Sequence, residues 1–150
     1  LHLSIVGFLP PHDPRILGTV AAVERLAEVA KRFVNAVLKN QRYIAIFARE
    51  EKNLAAEDFH RISELRRTFD RKLVKLLDEG VAAGEFRVSD TRMTALAIGG
   101  MVSWAYVWYR ADGRLTLEQT SAELTQLILG MVGVPRPAPE KVSRPVRRRK

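Results

Sequence analysis

There is no cysteine in this chain of 150 residues. That excludes disulfides, thiolate nucleophiles and cysteine-ligated zinc, and it suits a reducing cytoplasm, where the chain is expected to reside. Histidine is scarce, at three. His2 and His12 fall in an irregular opening stretch, and His60 stands alone among charges. No His-Glu-x-x-His pair, serine nucleophile elbow or glycine-rich phosphate loop accompanies them. The chain therefore reads as no enzyme, with no catalytic residue, no metal ligand and no cofactor. No apolar run reaches the ~18–20 residues that span a bilayer. Residues 1–9 are apolar, but they lack a basic leader and a small-residue cleavage site, so they do not read as a signal peptide. No membrane partner is expected. No segment has a convincing strand pattern, alternating with a period of two.

What is present is 47% hydrophobic and 28% charged, the balance of a soluble globular domain. The net charge of +8 is unevenly spread. From Arg136 onward seven basic residues accompany one acid, Glu140, a net of +6 that leaves +2 for residues 1–135. The high pI thus belongs to a tail in which Pro135, Pro137, Pro139 and Pro145 precede Arg147, Arg148, Arg149 and Lys150. Such a segment reads as extended and disordered. Its four adjacent charges offer at most weak, salt-sensitive attraction to nucleic acid, and a solubilising tail is the plainer reading.

Helical periodicity fills the rest. Residues 1–13 are an irregular lead-in. Asp13-Pro14 suits a helix start, although Gly18 weakens the first turns and a start near Thr19 is the alternative. Leu17, Val20, Val23, Ala27, Ala30, Val34 and Val37 then make an apolar stripe to about Lys39. Asn40 breaks it. A shorter helix over 41–52 carries Tyr43, Ile44 and Phe47, and ends in Glu50 and Glu51, where the helix dipole disfavours acids. One of the two is expected to have a partner elsewhere. Asn53 can cap a third helix of about 27 residues, ~40 Å long, whose stripe includes Ile62, Leu65, Phe69, Leu73, Leu76 and Leu77. Gly84 is its natural left-handed stop. Ser89 or Asp90 caps a fourth helix that runs to Asp112-Gly113 and holds both tryptophans, Trp104 and Trp108. Gly99-Gly100 in its middle costs about 1 kcal/mol per glycine, which suggests close approach of another backbone or of a ligand. Thr116-x-x-Gln119 is a capping box for a fifth helix with Leu117, Thr120, Leu124, Leu127, Ile128 and Met131 on one stripe. Gly130 and Gly133 mark its end. The fold class is all-α, with five helices over residues 14–133 and a basic tail over 134–150.

In this order the motifs Ala48-Arg-Glu-Glu-Lys-Asn-Leu54, Leu65-Arg-Arg-Thr-Phe69 and Glu79-Gly-Val-Ala-Ala-Gly-Glu-Phe86 precede Gly99-Gly-Met101, Trp104 and Trp108-Tyr-Arg-Ala-Asp-Gly-Arg-Leu115. The combination resembles the C-terminal domain of TetR-family transcriptional repressors. It is similar to the branch that governs sterol-ring and fatty-acid catabolism. The resemblance implies a helical bundle that binds a small hydrophobic effector of the acyl or acyl-CoA kind. It also implies a homodimer whose last two helices build a four-helix bundle. On that reading Tyr43, Phe47, Glu50, Arg66, Phe69, Met101 and Trp104 are the ligand-binding candidates. Gly99, Gly100, Trp108, Leu124, Leu127 and Ile128 are the dimer-seam candidates. Ordinary core remains an alternative for the aromatic residues and Met101, and a solvated surface pair remains one for Glu50 and Arg66. Family members open with a three-helix DNA-binding domain, and nothing in residues 1–13 matches it. DNA is therefore expected as a partner only where such a domain is present. Leu at position 1 fits a fragment of a longer repressor, and a truncated decoy that pairs with full-length repressors is the alternative role.

Overall fold

A computed structural model describes residues 20–135. The described residues form five α-helices with no strand among them: α1 (Ala22–Lys39), α2 (Gln41–Glu50), α3 (Ala56–Ala82), α4 (Thr91–Trp108) and α5 (Leu117–Met131). A single 3₁₀ turn, Glu51–Asn53, joins α2 to α3. The expected start at Asp13-Pro14 and the basic tail from Arg136 lie outside the described residues.

The core is built by α1 and α4, each packed against all four other helices. Leu26 and Val34 of α1, Leu73 and Leu77 of α3, Ile98 and Val102 of α4, and Ile128 of α5 are fully enclosed, together with Val132. Burying each such large aliphatic side chain contributes roughly 1.5–3 kcal/mol. Of the periodic stripe read from the sequence of α1, Ala30, Val34 and Val37 are buried and Val23 and Ala27 partly so, while Ala22, Leu26, Val29 and Leu38 complete the inner face.

The helix ends show which local signals operate. Ala21 offers α1 no side-chain cap. Its orphan amide is met from afar: Val23 donates its backbone N–H to Glu85 Oε2 at 2.9 Å, and Arg25 pairs with Glu79 at 2.7 Å beside it. Asn40 closes α1, donating from Nδ2 to the carbonyl of Ala36. Asn53 does not cap α3. That helix starts at Ala56 without a side-chain cap, and Asn53 donates instead to Glu50 Oε2 at 3.0 Å. At its far end Gly84 takes φ +75°, and the amides of Gly84 and Glu85 turn back to the carbonyls of Val81 and Gly80. This is the glycine-terminated Schellman arrangement. Gly133, at φ +84°, ends α5 in the same way.

Asp90 caps α4 by accepting from the Met93 amide at 2.9 Å, and Thr91 Oγ1 donates to Asp78 of α3 at 2.7 Å. The reciprocal Thr116–Gln119 capping box is formed. The end of α4 departs from the sequence reading. It stops at Trp108, not at Asp112, because Tyr109 turns to an extended conformation and buries its side chain.

Candidate functional site

Two places stand out, one polar-rimmed and one bare. The first lies where α2 meets α3. Phe69 is 4% exposed, on the inner stripe of α3, and its ring centre sits 4.8 Å from that of Phe33 on α1. One turn earlier on α3, Arg66 ion-pairs with Glu51 at 2.7 Å and holds its guanidinium carbon 5.7 Å from the centre of the Phe47 ring. Glu51 is thus the acid with a distant partner, while Glu50 is exposed and bonds only locally to Asn53. Asp70 shares this region, one turn beyond Arg66. Burial raises its carboxyl pKa from the ordinary aspartate value, and the Arg66 charge draws it partly back. The arrangement offers the Phe47 ring beside a guanidinium that already holds a carboxylate, the chemistry that suits an apolar body with an anionic end.

The second place is the outward side of α4 and α5. Met93, Leu96, Trp104, Val107 and Trp108 on α4 are all exposed large apolar side chains, as are Leu127 and Met131 on α5. Trp104 is 61% exposed and makes an edge contact with Tyr106. A β-carbon added at Gly99, Gly100 or Gly130 would meet nothing within 4 Å, so no part of the same protomer approaches these glycines. A cluster of exposed apolar side chains of this kind is characteristic of an interaction face.

Among the described residues no three His, Asp or Glu side chains gather where they could hold a metal ion, and His60 is exposed. No described helix is long and apolar enough to cross a membrane.

A profile of the family described as "Tetracyclin repressor-like, C-terminal domain" matches residues 19–132. The chain belongs to this family. Solved structures with the TetR fold resemble it closely in backbone. A regulatory protein of the tetR family from Rhodococcus RHA1 superposes with a TM-score of 0.73 at 23% identity over 89% of this chain and 66% of that one. The TetR-like chain therefore spans just under two thirds of that structure's length. The ketosteroid transcriptional regulator KstR2 of Mycobacterium tuberculosis gives 0.68 at 23% identity, over 84% of this chain and 67% of its own. AibR, solved in complex with isovaleryl coenzyme A and operator DNA, gives 0.67 at 24% identity, over 89% and 70%. At these identities the likeness is one of fold. No curated protein matches the chain.

Within this TetR-like domain the residues singled out from sequence separate into groups. Phe47 and Arg66 touch, and Phe69 lies one turn along α3 from Arg66. Met101 is half-buried against the core. Tyr43 projects outward from α2 and is exposed, and Trp104 lies with the bare face of α4 and not beside Phe69. The intended seam residues also divide. Gly99, Gly100, Trp108 and Leu127 border the bare face. Leu124 (5% exposed) and Ile128 (0%) do not: they point inward, because α5 packs chiefly on α1 and that contact takes up its 120-124-128 stripe. Met131 stands in the outward position they were assigned. Sequence reading overlooked Phe33 as an aromatic partner. Its place on the α1 stripe, one step from the Val34 core position, was the available signal.

Proposed function

We propose that this chain is the effector-binding and homodimerisation part of a TetR-family transcriptional regulator, and that its effector is a hydrophobic acyl or acyl-CoA compound. The observation that carries the reading is the bare apolar face of α4 and α5. It holds Trp104, Trp108 and Leu127 outward on a family-typical bundle, and a twin copy of the same face is the self-complementary way to cover it. The effector class is supported by the Arg66 guanidinium lying over the Phe47 ring, which suits a hydrocarbon with an anionic group. It is further supported by two fold relatives, one solved with isovaleryl coenzyme A and one named for ketosteroids. Glu50, Tyr43, Met101 and Trp104 are proposed as outlying contacts. Effector binding changes the relative placement of the two protomers. Where DNA-reading heads are attached, that change alters their spacing and releases the operator.

The test is size-exclusion chromatography with light scattering at micromolar concentration, followed by titration with isovaleryl-CoA and decanoyl-CoA under tryptophan fluorescence. A dimer with a saturable signal is expected. A monomer would remove the dimer, and a flat titration with both thioesters would remove the acyl-CoA effector.

A further inference from the structure

Helix α2 is held differently from its neighbours. It buries none of its residues, whereas α1, α3, α4 and α5 each bury at least four. Tyr43 and Ile46 are exposed on its outer side, and Ile44 only partly covers the core. Its firm ties are polar and sit at its two ends. At the start, Gln41 Nε2 donates to the carbonyls of both Tyr106 and Tyr109 at 2.7 Å each, meeting acceptors that the end of α4 would otherwise leave open. At the finish, Arg66 of α3 grips Glu51 at 2.7 Å while its guanidinium lies over the Phe47 ring. Glu50 gives no help, being engaged with Asn53. The free energy of local opening follows the apolar area that a segment buries, so α2 is the element with least to lose by detaching.

We propose that α2 is a strap, pivoted on α4 through Gln41 and latched to α3 by Arg66. Both contacts at the latch end run through one guanidinium, and the ion pair is half exposed. Removing the guanidinium therefore frees Phe47 and Glu51 together. Releasing the latch lifts the far end of α2 and opens α3 around Arg66 to an entering ligand. An anionic group on that ligand competes with Glu51 for Arg66. Gln41 keeps the other end on the last turn of α4, so the position of the strap is tied to the helix that bears Trp104 and Trp108. The role in ligand entry rests on the effector-binding reading; the strap itself does not.

Amide hydrogen exchange on the full chain without ligand tests it. Arg66→Gln and Glu51→Gln each accelerate exchange across residues 41–53, by about tenfold for the arginine change, which loses both the ion pair and the ring contact. Exchange in α1 and α5 stays at the wild-type rate. Gln41→Met loosens α2 and also the Tyr109 amide at the end of α4. The proposal is overturned if both latch variants leave 41–53 unchanged, or if all helices accelerate together. Failure of decanoyl-CoA to bind would remove the effector reading and leave the exchange result standing.

Discussion

A β-carbon placed on Gly80 would stand 2.1 Å from Cδ2 of Phe86. The ring of Phe86, itself buried, lies directly on the bare backbone of α3 in the last turn of that helix. Alanine elsewhere in a helix interior gains about 1 kcal/mol over glycine. At this site the overpacking, typically about 1–3 kcal/mol, outweighs that gain. Gly80→Ala should lower the urea midpoint, and a midpoint equal to or above wild type would mean that Phe86 repacks freely.

Adjacent residues of α5 should respond oppositely to the same charge. Leu127 is 49% exposed and Ile128 is wholly buried. Leu127→Arg is expected to give a folded monomer, seen as native circular dichroism and half the wild-type mass by light scattering. Ile128→Arg places an unpaired cation in the core, which costs several kcal/mol, and should unfold the domain. A dimeric Leu127→Arg would move the interface away from α5.

The ring pair between α1 and α3 contributes twice, by burial and by its tilted contact. Phe69→Ala should cost about 3–5 kcal/mol. A double-mutant cycle with Phe33→Leu should return a coupling of about 0.5–1.5 kcal/mol beyond burial. Strict additivity in denaturation would show that the two rings do not support each other.

The start of α1 depends on a residue some sixty positions away. Glu85 accepts the Val23 amide at 2.9 Å, doing the work that an N-cap side chain usually does. Glu85→Ala should cost about 0.5–2 kcal/mol and fray the first turn of α1, visible as faster exchange at residues 22–25. Unchanged exchange there would indicate that water serves the amide equally well.

Asp70 gives a pH signature. Burial is the larger influence and raises its folded-state pKa above the unfolded value, with the Arg66 charge partly opposing. The folded state then holds its proton more tightly, so the charged carboxylate costs stability above the folded pKa. That cost fades as pH falls through the raised pKa toward the unfolded one. Asp70→Asn should therefore raise Tm at neutral pH, and the gain should vanish at pH below the ordinary carboxylate range. A gain independent of pH would point to packing instead.

Much of the fold was legible because its signals are local. The stripe positions Ala30, Val34 and Val37, the Asp90 cap, the Thr116–Gln119 box and the Gly84 stop each depend on residues within a turn or two, and all are formed. The misfit of two acids at the end of α2 correctly implied a distant partner, found in Arg66. Three readings failed where another group intervened, a near neighbour in the first case and a remote element in the other two. Asn53 turned to Glu50 instead of capping α3. Helix α4 stopped at Trp108, where Gln41 takes up its closing carbonyls. Leu124 and Ile128 went to the protomer's own core.

The sequence by itself determined five helices, the caps of α4 and α5 and an all-α domain, because periodicity and local capping are decided within a few residues of each position. Only the tertiary structure decided which face of each helix is spent on the core. Packing α5 on α1 consumed Leu124 and Ile128 and left Leu127 outward. The same competition left α4 with an uncovered side and α2 with no buried residue at all. Which side chains remain available for a partner or a ligand depends on the summed packing of all five helices, a quantity no single stretch of sequence contains.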